Sequence, residues 1–138
     1  VKIEEIMTST FATVRSNLTI QEAARKMRDR NIDCLVVVEG GEPIGIVTDR
    51  DLCCRAVADR IDPSRATVRD FMTAKVAFCF GDQDIVDGAH LMEKQHIRRL
   101  AVLDRENRML GLVSVDDIAR CSYFLAGQIL ERSAVTAH

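Results

Sequence analysis

The sequence predicts an α/β (α+β) fold made of two β-α-β-β-α repeats, related by a pseudo-twofold axis and packed through their sheets. Three observations lead there. The first is an internal repeat. Met7-Thr8 returns as Met72-Thr73, and Ile20, Ala24 and Met27 return as Ile85, Ala89 and Met92. Ile32, Leu35 and Val37 return as Ile97, Leu100 and Val102, all 65 residues apart. The second is an extra residue in a turn, after which the offset is 66: Gly45-Ile46-Val47-Thr48-Asp49-Arg50-Asp51 answers Gly111-Leu112-Val113-Ser114-Val115-Asp116-Asp117. The third is that each copy passes from helical spacing of its apolar residues to two β-branched runs, a change of period from 3.6 to 2.

The elements follow in the same order in both copies. A short helical turn opens each, over Ile3 to Met7 and Val68 to Met72, followed by an extended piece around Ala12 to Val14 and Ala77 to Cys79. An amphipathic helix comes next. Thr19 with Glu22 three residues on has the form of a capping box, and Asp84 is the corresponding cap in the second copy. Ile20, Ala23, Ala24 and Met27 share one helical face, as do Ile85, Gly88, Ala89 and Met92; the methionines Met27 and Met92 are expected to pack in the core. Two strands then form a hairpin with a loop of several residues: Asp33 to Val38 with Ile44 to Val47, and Arg98 to Leu103 with Met109 to Val113. Each copy closes with a helix starting at Thr48 or Ser114, the second of which is expected to run unbroken to about Arg132 before the end frays. This divides the chain into a first repeat (residues 1–60), a connector (61–67), a second repeat (68–125) and a C-terminal helical extension and tail (126–138). One copy of about 60 residues leaves a sheet face bare, so the pair is the expected minimal stable unit.

Composition narrows the function classes. Hydrophobic residues make up 47% and charged residues 29% of the 138, ordinary for a globular domain. A net charge of −2, with one Tyr and no Trp, offers neither the basic field nor the stacking platform of a nucleic-acid binder. The apolar-leaning stretch from Cys121 to Leu130 is about half of a bilayer span, and no signal-peptide pattern opens the chain, so a cytoplasmic location without membrane association is expected. The five cysteines show no metal-ligand spacing and read as small buried thiols, with Cys53 and Cys54 as the candidates for a redox role. No nucleophile–base arrangement, P-loop or redox motif appears, so no catalytic residue is assigned.

At Gly45-x-x-Thr48-x-x-Asp51 and Gly111-x-x-Ser114-x-x-Asp117 the chain resembles a tandem CBS-domain pair (Bateman module) of the stand-alone bacterial type. The Met-Thr before each first strand, the Ala-x-x-Met of each first helix and the run Ile97-Arg98-Arg99-Leu100-Ala101-Val102 support the likeness, which spans roughly residues 3 to 125. One departure is the second strand, where a Leu-Pro-Val is common in that family and this chain has Leu35-Val36-Val37 and Leu100-Ala101-Val102.

The resemblance implies a non-catalytic sensor binding adenosine compounds in clefts between the repeats: AMP, ADP or ATP, with S-adenosylmethionine or NAD(H) as further candidates, and no required cofactor. The chemistry of the residues fits. A carboxylate can accept both hydroxyls of a ribose in charge-assisted bonds, the expected role of Asp51 and Asp117. Thr48 and Ser114 stand where free helix N–H groups favour a phosphate, and Arg50, Arg98 and Arg99 could neutralise it. Of the two strand arginines, which must face opposite sides, Arg99 is the preferred one. Adenine is expected between the Thr8–Ala12 segment and Ile32 in one site, and between Thr73–Ala77 and Ile97 in the other. The competing reading is plain helix capping, which Thr48-x-x-Asp51 and Ser114-x-x-Asp117 satisfy equally well. The alternative function is a dimerisation or partner-docking module with vestigial clefts. Asp116 and Asp117 alone are too few to hold a divalent ion, so no metal site is expected beyond magnesium carried in by nucleotide phosphates. A homodimer is expected, since closed twofold assembly is the commonest way to cover leftover apolar helix surface.

Overall fold

The structure is a computed structural model and describes residues 1–74 and 76–136. It divides into two compact units, residues 1–10 with 77–138 (unit 1) and residues 11–76 (unit 2). The division cuts across the sequence repeats, because each unit holds the body of one repeat and the leading segment of the other.

In unit 2, strand β1 (Thr13–Arg15) runs parallel to β2 (Cys34–Glu39), β2 pairs antiparallel with β3 (Glu42–Thr48), and the short β4 (Thr73–Ala74) closes the far edge of the sheet. Helix α2 (Ile20–Arg30) connects β1 to β2. The hydroxyl of Thr19 accepts from the Glu22 amide at its start, and Asn31 takes the left-handed conformation at its end. Alternation along β2 puts Leu35 and Val37 in a core with Val14, Ile20, Ala23, Met27 and Val47. The β2–β3 loop is only two residues, because Glu39 pairs with Glu42; Gly40 and Gly41 both have positive φ, as a tight hairpin turn of this hand requires. Helix α3 (Asp49–Asp51) passes into a π-helical stretch, Leu52–Val57, and the chain turns back through α4 (Val68–Phe71).

Unit 1 repeats this plan with one strand fewer. Here β5 (Phe78–Phe80) runs parallel to β6 (Arg99–Leu103), and β6 pairs antiparallel with β7 (Met109–Ser114). Helix α5 (Ile85–Gln95) is capped by the Asp84 carboxylate, which accepts from the Val86 amide, and ends on His96 in the left-handed conformation. His96 is therefore a helix C-cap. The β6–β7 loop is longer than its counterpart: Asp104 accepts from the amides of Glu106 and Arg108 to fold it. Met92, Leu100, Val102 and Val113 form the centre of the core, with Ile3 of α1 (Ile3–Ile6) among them.

The leading segments are exchanged. Thr8 both donates to and accepts from Leu112 on the open edge of β7, at 2.8 and 3.0 Å, while Thr73 pairs with Ile46 on the edge of β3. These are equivalent pairings in the repeat numbering, made by the other repeat's Met-Thr. The glycine of each Gly-x-x-(Thr/Ser)-x-x-Asp motif permits them. A β-carbon at Gly45 would lie 2.5 Å from the Met72 sulfur and 2.9 Å from the Thr73 carbonyl oxygen, and one at Gly111 would collide with the Thr8 carbonyl.

Two further expectations are corrected. The last helix is not continuous: α6 (Val115–Ala119) stops, residues 120–122 turn, and α7 (Tyr123–Thr136) starts afresh. The turn lets α7 fold back on α5 and α6, burying Ala126 and Ile129. It also extends through residues 133–136, which were expected to fray; residues 137 and 138 lie outside the described residues. The cysteines are not uniformly buried: Cys79 is, but Cys53, Cys54 and Cys121 are exposed and Cys34 is half-buried. Burial pushes the Cys79 thiol up to about 11. No helix among the described residues is long and apolar enough to cross a membrane.

Candidate functional site

Each unit builds the same small constellation from two adjacent strands and the helix start that follows. In unit 2 the register puts Cys34 directly opposite Thr48, and the Asp49 amide donates to the Asp33 carbonyl at 3.0 Å. In unit 1 Arg99 stands opposite Ser114, and the Val115 amide donates to the Arg98 carbonyl at 3.0 Å. One hydrogen bond per unit thus ties the beginning of the second strand to the beginning of the helix. It brings Ile32, Thr48, Arg50 and Asp51 into one neighbourhood, and Ile97, Arg98, Arg99, Ser114 and Asp117 into the other. Arg99 is half-buried and Arg98 exposed, as alternation on a strand demands.

The adenine-side residues are divided between the two units. Ala12 stays with Ile32, its carbonyl accepting from the Val36 amide at 3.0 Å, and Ala77 stays with Ile97, its carbonyl accepting from Ala101 at 3.0 Å. Thr8 is on the β7 edge of unit 1, and Thr73 is on the β3 edge of unit 2. The exchange of leading segments is the reason.

Both aspartates complete capping boxes. The Thr48 amide donates to Asp51 Oδ2 at 2.9 Å while the Asp51 amide donates to Thr48 Oγ1 at 3.2 Å. In unit 1 the Ser114 amide donates to Asp117 Oδ2 at 2.9 Å and the Asp117 amide to Ser114 Oγ at 3.3 Å. Capping and ribose binding compete for these carboxylates, and in this structure the cap holds Oδ2 of each. The two carboxylates still differ. Asp51 is half-buried, and its Oδ1 has no hydrogen bond among the described residues. Asp117 is 4% exposed, and its Oδ1 accepts from Arg120 Nη1 at 3.2 Å. Arg120 escaped the sequence reading, although its position three residues after Asp117 on a helix is a recognisable ion-pair spacing. Arg50 is exposed, with its amide donating to Asp49 Oδ1 at 2.8 Å. Among the described residues no group of three or more His, Cys, Asp or Glu is placed to hold a metal ion.

Two matching strand-and-cap constellations, in equivalent register, are joined here to a family model. The CBS domain model matches residues 3–56 and again 68–123. The chain belongs to the CBS-domain family. The CBS domain-containing protein YhcV of Bacillus subtilis is 35% identical over 85% of this chain and 82% of its own length. Among solved structures, the conserved CBS domain protein TA0289 of Thermoplasma acidophilum superposes with a TM-score of 0.85 at 27% identity, over 96% of this chain and 75% of that one. The CBS domain pair of protein MJ0100, solved in complex with 5'-methylthioadenosine and S-adenosyl-L-methionine, matches at 30% identity and a TM-score of 0.75, over 88% of this chain and 98% of that one.

Proposed function

We propose that this chain is a non-catalytic regulatory module that binds an adenosine-containing ligand at its two strand-and-cap constellations. AMP, ADP or ATP is the first choice, and S-adenosylmethionine or NAD(H) the second. The observation that carries the reading is the doubled geometry: in both repeats a threonine or serine cap, an aspartate three residues on, and the start of the neighbouring strand are tied together by the same hydrogen bonds. The MJ0100 pair, crystallised with two adenosine compounds, supports the ligand class.

In this reading Asp51 and Asp117 take the ribose diol, Thr48 and Ser114 with Arg50, Arg98 and Arg99 take the phosphates, and Ala12, Ile32, Ala77 and Ile97 flank the base. Thr8 and Thr73 serve the base through the edges of the sheets they join. The two sites are not equally ready. Asp51 offers Oδ1 at once, whereas a ribose at Asp117 must displace Arg120, whose side chain is 76% exposed and can swing into solvent. Unit 1 in turn carries Arg98 and Arg99, where unit 2 has Asp33 and Cys34, so it suits ligands with more phosphate. Ligand that binds one arrangement of the protein better than another supplies the regulatory output.

A docking module with vestigial sites is the second reading, favoured by the fact that both aspartates are already engaged as caps. Melting-temperature titrations with AMP, ADP, ATP, S-adenosylmethionine and NADH separate the two. A ligand at a hundredfold excess over its Kd adds about 2.7 kcal/mol of stability. A shift with one of these, weakened by Asp51→Ala, supports the sensor. No shift with any of them at millimolar concentration supports the docking module.

A further inference from the structure

Cys53 and Cys54 are adjacent in sequence and both exposed, and the proposed ligand chemistry uses neither. They belong to the π-helical stretch Leu52–Val57, which begins directly after the cap residue Asp51. The Ile61 amide closes this stretch on the Ala56 carbonyl at 3.0 Å, five residues back. Turns of this kind are rare and frequently mark functional sites.

The same stretch holds the segment that leads into the next repeat. Arg55, beside Cys54, donates from Nη1 to the Phe71 carbonyl at 3.0 Å and from Nη2 to the Asp70 carbonyl at 3.4 Å. Its guanidinium also lies 5.5 Å from the centre of the Phe71 ring. Two residues further on, Thr73 joins the edge of β3 opposite Ile46. Arg55 thus links the stretch that carries the two thiols to the closing strand of the unit 2 sheet.

Unit 1 lacks this arrangement. By the repeat offset, Ala119 and Arg120 stand where unit 2 has Cys53 and Cys54, and α6 is α-helical to its end. The remaining cysteines differ from the pair. Cys79 is buried with its thiol pushed up to about 11, away from the reactive thiolate form. Cys121 is exposed but has no thiol next to it in sequence, so it can form no local ring.

Successive side chains on a helix diverge by about 100° and do not face each other. A disulfide brings its Cβ atoms to about 3.5–4.5 Å. Joining Cys53 to Cys54 therefore requires the backbone between them to leave its helical conformation.

We propose that Cys53 and Cys54 form a dithiol site that low-molecular-weight disulfides oxidise to a ring disulfide, and that ring closure unwinds the π-helical stretch and releases Arg55 from Phe71. In the first step one cysteine thiolate attacks the reagent RSSR. A protein–SR bond forms, and RS⁻ leaves and takes up the proton that the thiol gave away. In the second step the neighbouring thiolate attacks the protein sulfur of that mixed disulfide. The Cys53–Cys54 bond forms, and a second RS⁻ leaves and is protonated in the same way. The protein loses two electrons and two protons, and RSSR becomes two RSH. Unit 2 thereby carries a redox input that unit 1 does not.

Oxidised glutathione serves as the probe on the intact chain. Trypsin cleavage after Arg50 and Arg55 isolates residues 51–55, which contain both thiols and no other cysteine. The expected product is this peptide lighter by two hydrogens and without glutathione. Cys53→Ser and Cys54→Ser change exposed positions, and each should stop at the mixed disulfide. In oxidised wild type, amide hydrogen exchange should accelerate by at least about tenfold at residues 52–57 and 68–73, stay unchanged at 115–119, and return to its starting rate with dithiothreitol. An unreacted 51–55 peptide, a lasting glutathione adduct on it, or a ring disulfide that leaves exchange at 52–57 and 68–73 unchanged would overturn the proposal.

Discussion

Units 1 and 2 share a sheet plan, a helix cap and a hydrogen bond from helix start to strand, yet they finish these common parts differently. In unit 1 a C-terminal helix covers α5 and α6, the motif aspartate is 4% exposed, and an arginine occupies its second oxygen. In unit 2 the corresponding helices leave a groove, and the aspartate keeps one oxygen without a hydrogen bond among the described residues. What was duplicated is the frame that places a carboxylate beside a strand. What diverged is the surface laid over that frame. The first unit has moved toward stability and the second toward availability.

The largest expected effect tests the covering helix. Ile129→Ala removes a fully buried side chain that has no counterpart in unit 2, and should cost about 2–5 kcal/mol in urea denaturation. A loss below 1 kcal/mol would mean that α7 contributes little to unit 1. Next come the motif glycines. Gly111→Ala drives a β-carbon into the Thr8 carbonyl, and Gly45→Ala presses mainly on the flexible Met72 side chain and the Thr73 carbonyl. Both should destabilise by about 1–3 kcal/mol, with Gly111 the more sensitive. Equal tolerance at both would argue against the exchanged edge pairings.

The aspartates sharpen the comparison further. Asp117→Ala should cost more stability than Asp51→Ala, within about 0.5–2 kcal/mol for loss of a cap, because its carboxylate is buried and more fully engaged. For ligand binding the order should reverse at low phosphate content, with Asp51→Ala the more damaging for a nucleoside or monophosphate. If Asp117→Ala proves more damaging there too, the strand arginines outweigh the freedom of the carboxylate. Alkaline pH gives the smallest effect. Cys79 sits where unit 2 has Val14, and its thiol is pushed up to about 11 from an ordinary 9.0. The unfolded chain loses that proton first, so this contribution is complete below pH 9 and fades as pH rises through about 11. Cys79→Val should flatten that fall in the pH-dependent melting temperature, and an unchanged profile would place its origin elsewhere.

The frame was legible in the sequence because its signals are periodic. Apolar spacing gave α2 and α5, β-branched runs gave the hairpins, and the repeat made each copy a check on the other. The exchange of leading segments was not legible. Met7-Thr8 and Met72-Thr73 are the same dipeptide, so sequence alone cannot tell which sheet edge each one joins. The break after α6 was missed because neither glycine nor proline marks it; the turn at residues 120–122 serves the tertiary burial of Ala126 and Ile129. The two-residue turn at Gly40-Gly41 has the sequence signature of a longer loop, because Glu42 and Pro43 resemble loop residues while belonging to β3. The site residues were found as a set, but a serine or threonine followed three residues later by aspartate is the signature of a cap and of a ribose contact alike. Burial and the Oδ1 environment distinguish Asp51 from Asp117, and Arg120 supplies the second difference from the next turn.

The most direct test is calorimetric titration of the protein, cleared of copurifying small molecules, with AMP, ATP and S-adenosylmethionine, repeated on Asp51→Ala. The expected result is saturable binding of at least one of the three, weakened about tenfold or more when Asp51 loses its carboxylate. Absence of binding by all three at millimolar concentration, or affinity unchanged in Asp51→Ala and Asp117→Ala alike, would contradict a ribose-reading role for the duplicated aspartates.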